Sequence, residues 1–133
     1  MPITSLDHVN IRTANMDELS RFYEEILGLK RGDRPPFDMD GAWHYCGEAA
    51  VVHLVRLEEA PDQGEPQVEH FAFFATGLAD FLDHLRGRGI SYDVAIVPEV
   101  GNKQVNIHDP DGNHIEIQFD AGEEADTSPF QAT

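Results

Sequence analysis

The chain has 133 residues, enough for one compact domain with a hydrophobic core and too few to expect two. Nine basic and 25 acidic residues give a formal net charge of −16, which repels phosphate backbones and anionic lipids. Nucleic acid and membrane surfaces are therefore excluded as expected partners. The single cysteine, Cys46, excludes an internal disulfide. With no leader-like start and no long apolar run, the sequence predicts a soluble, cytoplasmic protein.

The first half of the chain predicts one strand, one helix and three shorter strands. Residues 6–13 alternate as a strand does, and Asn15 with Glu18 resembles a capping box that opens a helix ending at Gly28. Five apolar residues share one face of that helix: Leu19, Phe22, Tyr23, Ile26 and Leu27. The later strands are predicted at about 29–32, 42–46 and 50–56, and segment 58–67, with prolines and a glycine, is predicted as a linker.

The second half repeats that order. A strand at 68–75 is followed by a helix with one apolar face, closed by Gly87 or Gly89, and by strands at about 90–97, 103–108 and 114–119. Asp109-Pro110-Asp111-Gly112 predicts a turn that makes the last two strands a hairpin. Residues 120–133 are predicted as a loose acidic tail. The pattern indicates an α+β domain of two tandem βαβββ modules, at about 5–57 and 68–119.

Three histidines and a glutamate occupy matching places in the two halves. His8 precedes His70 by 62 residues, and His53 precedes Glu116 by 63. Each lies on a predicted strand, where alternate side chains point to opposite faces. By that alternation the four share one face, and this spacing suggests a duplicated unit that builds one metal site.

The same alternation assigns ten further residues to that face: Asn10, Arg12, Trp43, Tyr45, Phe74, Gln104, Asn106, His108, His114 and Gln118. The alternative is an ordinary solvent-exposed sheet face, which would favour Thr, Lys and Glu. Histidine, amide and aromatic side chains are instead typical of a pocket with convergent polar groups. Two histidines and a carboxylate around an open position suit Fe²⁺ best and are available to Mn²⁺, Ni²⁺ or Zn²⁺.

Several motifs resemble those of the vicinal oxygen chelate superfamily, which includes glyoxalase I, extradiol dioxygenases, fosfomycin-resistance enzymes and bleomycin-resistance proteins. They are Leu6-Asp7-His8-Val9, the helix end from Phe22-Tyr23 to Leu27-Gly28-Leu29, and the run from Asp109 to Glu116. The resemblance covers about residues 5–119. It implies a cupped, eight-stranded mixed sheet with helices on its outer face, a divalent metal held by His8, His70 and Glu116, and a homodimer.

His53 separates the branches of this family. Glyoxalase I enzymes usually have a glutamate there as a fourth ligand, whereas extradiol dioxygenases have a histidine near this place that acts on protons. The resemblance therefore favours a metal-dependent, dioxygenase-like enzyme that chelates adjacent oxygens of a small molecule, with His53 as the catalytic acid–base group. A glyoxalase-type lyase or isomerase with His53 as fourth ligand remains open. Asn106 stands where those dioxygenases have a tyrosine, so their phenol donor is missing.

Eight residues are candidates for substrate binding: Asn10, Arg12, Trp43, Tyr45, Phe74, Gln104, Asn106 and His108. The polar ones could orient substrate oxygens, and Trp43 and Phe74 could cover an apolar body. One arginine is little for a phosphonate or coenzyme A, which disfavours fosfomycin-resistance and epimerase chemistry. A further alternative is a metal-free protein of the bleomycin-resistance kind that sequesters a cationic drug, which would have no use for the His8, His70 and Glu116 set.

Overall fold

Two compact units make up the chain in a computed structural model, residues 1–64 and 65–133. The structure describes residues 2–62 and 64–133. The boundary between the units lies within the segment 58–67 that the sequence predicts as a linker. Each unit has one helix and one four-stranded sheet in the order βαβββ, which confirms the α+β class and the two tandem modules.

The first unit packs one helix on a mixed sheet. Its strands lie in the order β1-β4-β3-β2, with β1 parallel to β4 and the other pairs antiparallel. Leu19 and Tyr23 of the helix and Val52 and Leu54 of β4 are fully buried, because helical spacing and strand alternation each put these residues on one face. The elements are β1 (Val9–Thr13), α1 (Met16–Glu25), β2 (Lys30–Gly32), β3 (Gly41–Cys46) and β4 (Ala49–Arg56).

The second unit has the same topology, with strand order β5-β8-β7-β6 and β5 parallel to β8. Leu78 and Leu85 of its helix and Ile107 and Ile115 of its sheet are fully buried, and the ring of Phe81 lies 5.7 Å from that of Phe119. The elements are β5 (His70–Phe74), α2 (Leu78–Gly87), β6 (Asp93–Ile96), β7 (Lys103–His108) and β8 (His114–Phe119).

Strand register makes the two units equivalent residue by residue. Asn10 of β1 lies beside His53 of β4, and Ala72 of β5 lies beside Glu116 of β8. His53 and Glu116 therefore hold the same place in their own sheets. The offsets of 62 and 63 residues in the sequence are a structural repeat of one unit.

The helix ends agree with the sequence except at the start of α1. Asn15 is the N-cap residue, but its side chain makes no capping bond to the helix backbone; its amide donates to the Glu18 carboxylate over 2.9 Å. Gly28, at φ +73°, and Gly89, at φ +67°, follow α1 and α2 in the left-handed region that glycine adopts without strain. Each helix has 10 residues, and none in the described part of the chain is long and apolar enough to cross a membrane.

The predicted hairpin between β7 and β8 is confirmed, with His108 paired to His114. The buried carboxylate of Asp109 organises its turn, since one oxygen accepts from the backbone N–H groups of Asp111 and Asn113 at 3.0 and 2.9 Å. Gly112 adopts φ +87°, and its N–H donates to the Asp109 carbonyl oxygen over 2.9 Å. The sequence Asp-Pro-Asp-Gly therefore specifies this turn through both its acid and its glycine.

The acidic tail differs from the loose segment that the sequence predicts. Glu123 accepts from the N–H groups of Gly77 and Leu78, at 3.0 and 2.7 Å, and so caps the start of α2. Further along, Phe130 forms a β-bridge with Tyr92. Side-chain hydrophobicity is a poor guide to such a segment, because a carboxylate cap and a two-residue bridge need no apolar periodicity.

Candidate metal centre and its polar surroundings

The imidazole of His70 contacts a carboxylate on each side. Its Nδ1 lies 2.7 Å from an Oε2 of Glu69, and its Nε2 lies 3.4 Å from an Oε2 of Glu116. The first distance is that of a hydrogen bond, so Nδ1 carries a hydrogen. The Glu116 side chain is only 12% exposed, against 39% for His70. In the neutral ring, Nε2 then has the lone pair, and two electron-pair donors face each other in a part-buried place, whereas a ring with hydrogen on both nitrogens forms an ion pair with Glu116.

Glu69 is shared between two histidines. The oxygen that accepts from His70 also lies 2.7 Å from Nδ1 of His114. The hydrogen bonds from His70 and then His114 hold the pKa of the Glu69 carboxyl below its ordinary value. Ligand-type atoms of Glu69, His70 and His114 all lie within 4.8 Å of one another, which makes them a group able to hold a metal ion within the described residues.

His114 is braced from its other side by Asn106. The Asn106 amide nitrogen donates to Asp93 Oδ1 and to the Gln104 carbonyl, at 3.1 and 3.2 Å. Because both of these atoms are acceptors, the amide oxygen is the atom that faces Nε2 of His114, 2.8 Å away. The Glu69 oxygen and the Asn106 oxygen are both acceptors, so His114 donates to both only when each of its ring nitrogens carries a hydrogen. Asn106 therefore orients His114. The connected side chains run from Glu69, directly before β5, through His114 and Asn106 to Asp93 on β6.

The first unit contains the corresponding acid–histidine pair. Nδ1 of His8 lies 2.7 Å from Oδ2 of Asp7, as Nδ1 of His70 lies from Glu69. The two pairs stand at matching positions, immediately before or at the start of β1 and β5. This arrangement fixes the hydrogen on Nδ1 of His8 and leaves Nε2 as its free donor atom.

Aromatic rings stack in a column over the first sheet. The ring of His53 lies between those of His8 and Trp43, at centroid distances of 3.9 and 4.0 Å and interplanar angles of 12° on both sides. The Phe37 ring lies 6.2 Å from that of Trp43, and the Arg34 guanidinium lies over Phe37. The stacked column includes three residues that the sequence assigns to the site, His8, His53 and Trp43.

His53 has only one nitrogen available for chemistry. Its Nε2 donates to the Ala50 carbonyl oxygen over 2.9 Å, which leaves the lone pair on Nδ1. The residue is 8% exposed, and burial, followed by repulsion from His8, lowers its pKa below the ordinary value. A neutral imidazole with a free Nδ1 suits both roles that the sequence allows, a proton acceptor or a metal ligand.

The other predicted substrate-binding residues are spread over the two sheets. Asn10 and Arg12 are exposed on β1, and Phe74 is 68% exposed at the end of β5. The Tyr45 hydroxyl donates to the Asp33 carbonyl oxygen, directed towards β2. In the second unit, Gln104 donates to Gln118 over 3.1 Å, and the His108 ring stacks on His114 at 5.2 Å.

Each unit therefore brings together its own part of the predicted set, His8 with His53 and Trp43, and His70 with Glu116. The assignment of all of these residues to one site stays a prediction. Sequence alternation missed Asp7 and Glu69, because strand parity assigns neighbouring residues to opposite faces. A duplicated signal could have found them, since an acid directly precedes the histidine at both equivalent positions.

One histidine of the first unit faces the core instead. His44 is fully buried, and its Nε2 lies 2.8 Å from the Ser20 hydroxyl of α1, while its Nδ1 has no hydrogen-bond partner among the described residues. Burial lowers the pKa of His44; Glu24 opposes that shift and Arg31 adds to it. It lies on the opposite side of β3 from Trp43, as alternation requires.

Comparison with known protein families identifies the family of this chain. A family model for the Glyoxalase/Bleomycin resistance protein/Dioxygenase superfamily matches residues 5–117. The chain belongs to this superfamily. The matched range includes the strands and helices of both units, and the match does not specify a reaction.

Two relatives of this chain have names that refer to different enzymes. Glyoxylase I 4 of Arabidopsis thaliana is 33% identical over 123 residues, which cover 86% of this chain and 70% of that protein. Metapyrocatechase of Geobacillus stearothermophilus is 27% identical over 131 residues, covering 92% of this chain and 39% of that longer protein. The chain is thus similar both to a protein named as a glyoxylase and to one named as a metapyrocatechase.

Solved structures support the fold. The glyoxylase/bleomycin resistance protein/dioxygenase domain from Frankia sp. EAN1pec has a TM-score of 0.72 at 20% identity, covering 89% of this chain and 98% of that one. Lactoylglutathione lyase from Agrobacterium tumefaciens has a TM-score of 0.68 at 20% identity, covering 90% and 96%. At these identities the likeness concerns the fold alone.

Proposed function

We propose that the protein is a metal-dependent enzyme that binds two adjacent oxygens of a small molecule on a divalent ion. His8, His70 and Glu116 are the proposed ligands, and Fe²⁺ is the favoured ion, with Mn²⁺, Ni²⁺ and Zn²⁺ as alternatives. The observation that carries this proposal is the approach of His70 Nε2 to Glu116 Oε2 over 3.4 Å.

This approach fits a shared cation. With its hydrogen on Nδ1, a neutral His70 directs a lone pair at a carboxylate oxygen, and this contact is favourable only when a positive charge joins the two atoms, either a bound cation or a second hydrogen on the ring. Two ligands bound to one ion at about 2.1 Å each are separated by roughly 3.0 to 3.4 Å in octahedral or tetrahedral sites. The donor set and its spacing therefore suit a divalent metal, and Nε2 of His8 is the matching donor of the first unit.

A bound divalent ion would act as a Lewis acid, withdrawing electron density from the substrate oxygens and stabilising developing negative charge. His53 would take or return a proton through Nδ1, the nitrogen that Ala50 leaves free. Amide, guanidinium, hydroxyl and imidazole groups would orient the substrate, and Trp43 and Phe74 would cover its apolar body. The orienting groups are those of Asn10, Arg12, Tyr45, Gln104, Asn106 and His108.

Among reactions of this type we favour an extradiol dioxygenase-like one. A histidine at position 53, in the place that Glu116 holds in the second sheet, supports proton transfer beside the metal. The metapyrocatechase relative is consistent with this choice. Because Nε2 of His53 donates to the Ala50 carbonyl oxygen, only Nδ1 is available to accept a proton, as a single proton acceptor requires.

The second candidate is a glyoxalase-type lyase or isomerase, in which Nδ1 of His53 is a fourth metal ligand. The 33% identity to Glyoxylase I 4 supports this candidate. So does the hydrogen bond from Nε2 of His53 to the Ala50 carbonyl oxygen, since metal-bound imidazoles usually donate their other N–H to such a group. The third is a metal-free binding protein for a cationic drug. A homodimeric, cytoplasmic protein acting on a small molecule is part of the proposal in each case.

The deciding experiment measures metal and oxygen together. Protein loaded anaerobically with Fe²⁺ is mixed with a panel of catechols, and oxygen uptake is followed, with the methylglyoxal–glutathione adduct as the competing substrate. Oxygen uptake with about one Fe²⁺ per chain supports the dioxygenase-like reaction, and turnover of the adduct supports the glyoxalase type. Protein that binds none of Fe²⁺, Mn²⁺, Ni²⁺, Co²⁺ or Zn²⁺ refutes both.

A further inference from the structure

Glu69 stands behind the metal-facing side of His70. Its Oε2 accepts from Nδ1 of His70 at 2.7 Å, on the far side of the ring from Glu116. The hydrogen of a neutral imidazole can sit on either nitrogen, and only the Nδ1–H form presents a lone pair at Nε2. The carboxylate therefore selects the form of His70 that can bind an ion beside Glu116.

The same oxygen is itself held in place. Nδ1 of His114 also lies 2.7 Å from it, and Nε2 of His114 lies 2.8 Å from the Asn106 amide oxygen. A His114 ring with hydrogen on both nitrogens donates to both of these acceptors. Because Asp93 and the Gln104 carbonyl both engage the Asn106 amide nitrogen, the amide cannot turn over without losing these bonds. Glu69 is thus restrained although its side chain is 70% exposed.

The first unit repeats the arrangement in a weaker form. Asp7 accepts from Nδ1 of His8 over 2.7 Å, with its own side chain 89% exposed. Val52 of β4 and Ile115 of β8 are equivalent. The residue before each is Val51 in the first unit and His114 in the second. Asp7 therefore has the same histidine partner as its counterpart but lacks the second one.

We propose that Glu69 is a positioning residue that fixes the orientation and the hydrogen-bearing nitrogen of His70, with His114 and Asn106 as its support. The proposal rests on the proposed function in that His70 is taken as a metal ligand. Carboxylates behind metal-bound histidines typically contribute about 10- to 100-fold to metal affinity. Asp7 would do the same for His8 with a smaller effect, because only one bond holds it.

The first measurement needs no metal. Long-range ¹H–¹⁵N spectra of the metal-free, full-length protein report which nitrogen of His70 carries the hydrogen. The wild type and Glu69→Asp should show Nδ1–H, since an aspartate makes the equivalent bond at Asp7, whereas Glu69→Ala should show a mixture of the two forms. Glu124→Ala, which removes an exposed carboxylate of the same unit, is the matched control. An unchanged Nδ1–H form in Glu69→Ala overturns the proposal.

The second measurement uses Co²⁺ as the probe, titrated against the visible absorption of the bound ion. Glu69→Ala should raise the Kd about 10- to 100-fold, Glu69→Asp should restore most of the affinity, and Glu124→Ala should match the wild type. An unchanged Kd in Glu69→Ala refutes the positioning role, as does complete loss of binding, which would make Glu69 a ligand. Wild-type protein that binds no Co²⁺ argues against the metal site while the spectra still decide the hydrogen's position.

Discussion

Replacing His53 by glutamine separates its possible roles. The glutamine amide can still donate to the Ala50 carbonyl oxygen, as Nε2 does now over 2.9 Å, but nothing replaces the Nδ1 lone pair. Loss of the two stacking contacts of the His53 ring, each worth about 0.5 to 1.5 kcal/mol, should lower the free energy of unfolding by roughly 1 to 3 kcal/mol. Loss of a general base should lower turnover by about 10²- to 10⁴-fold.

The assay compares His53→Gln with His53→Asn, whose shorter side chain leaves a polar group near the former Nδ1 and gives up the bond to Ala50. Metal content, turnover and urea unfolding are measured for each. With a proton-transfer role, His53→Gln keeps the metal and loses turnover. Loss of metal in His53→Gln instead makes Nδ1 a ligand. An active His53→Gln beside an inactive His53→Asn would refute both roles and leave only a structural one.

Three further outcomes follow from the contacts described. Glu116→Gln should abolish tight Co²⁺ binding with the fold intact by circular dichroism, and equal binding by this variant and Glu124→Gln would contradict its ligand role. Glu123→Ala removes two bonds from the start of α2 and should lower the free energy of unfolding by about 1 to 2 kcal/mol, whereas a value equal to that of Glu124→Ala would mean the cap contributes nothing. Because burial holds the pKa of His44 below its ordinary value, its contribution to stability is complete above the unfolded pKa of about 6.5 and is lost as the pH falls from there through the lower pKa of the folded state. Melting temperatures measured between pH 7.5 and 5.5 should therefore fall less steeply in His44→Leu, and an identical slope would exclude His44 as a source.

Most of the fold could be predicted from the periodic spacing of apolar residues in the sequence. Apolar spacing predicted the buried faces around Leu19 and Leu85, and glycine chemistry predicted a helix end at Gly87 or Gly89 and the turn at Gly112, because these depend on local geometry alone. The equivalence of His53 and Glu116 likewise needs only strand register.

The features that were not predicted are hydrogen bonds between particular side chains, which periodicity does not determine. The Asn15 amide turned to Glu18 instead of the helix backbone, a choice between two hydrogen bonds of similar strength. Asp7 and Glu69 precede β1 and β5, and strand parity assigns each to the face opposite its neighbouring histidine, so their bonds to that histidine were not predicted. Glu123 reaches α2 from 45 residues away, and no local pattern signals such a contact.

The ring column over the first sheet gives the protein a built-in optical reporter. Trp43 is its single tryptophan, and it lies face to face with His53, whose other face meets His8. An indole in such contact with an imidazole changes its emission when that ring gains charge, moves or is joined to an ion. Fluorescence from one known position could therefore follow events at His8 and His53 in the unmodified protein, without a label or a substrate.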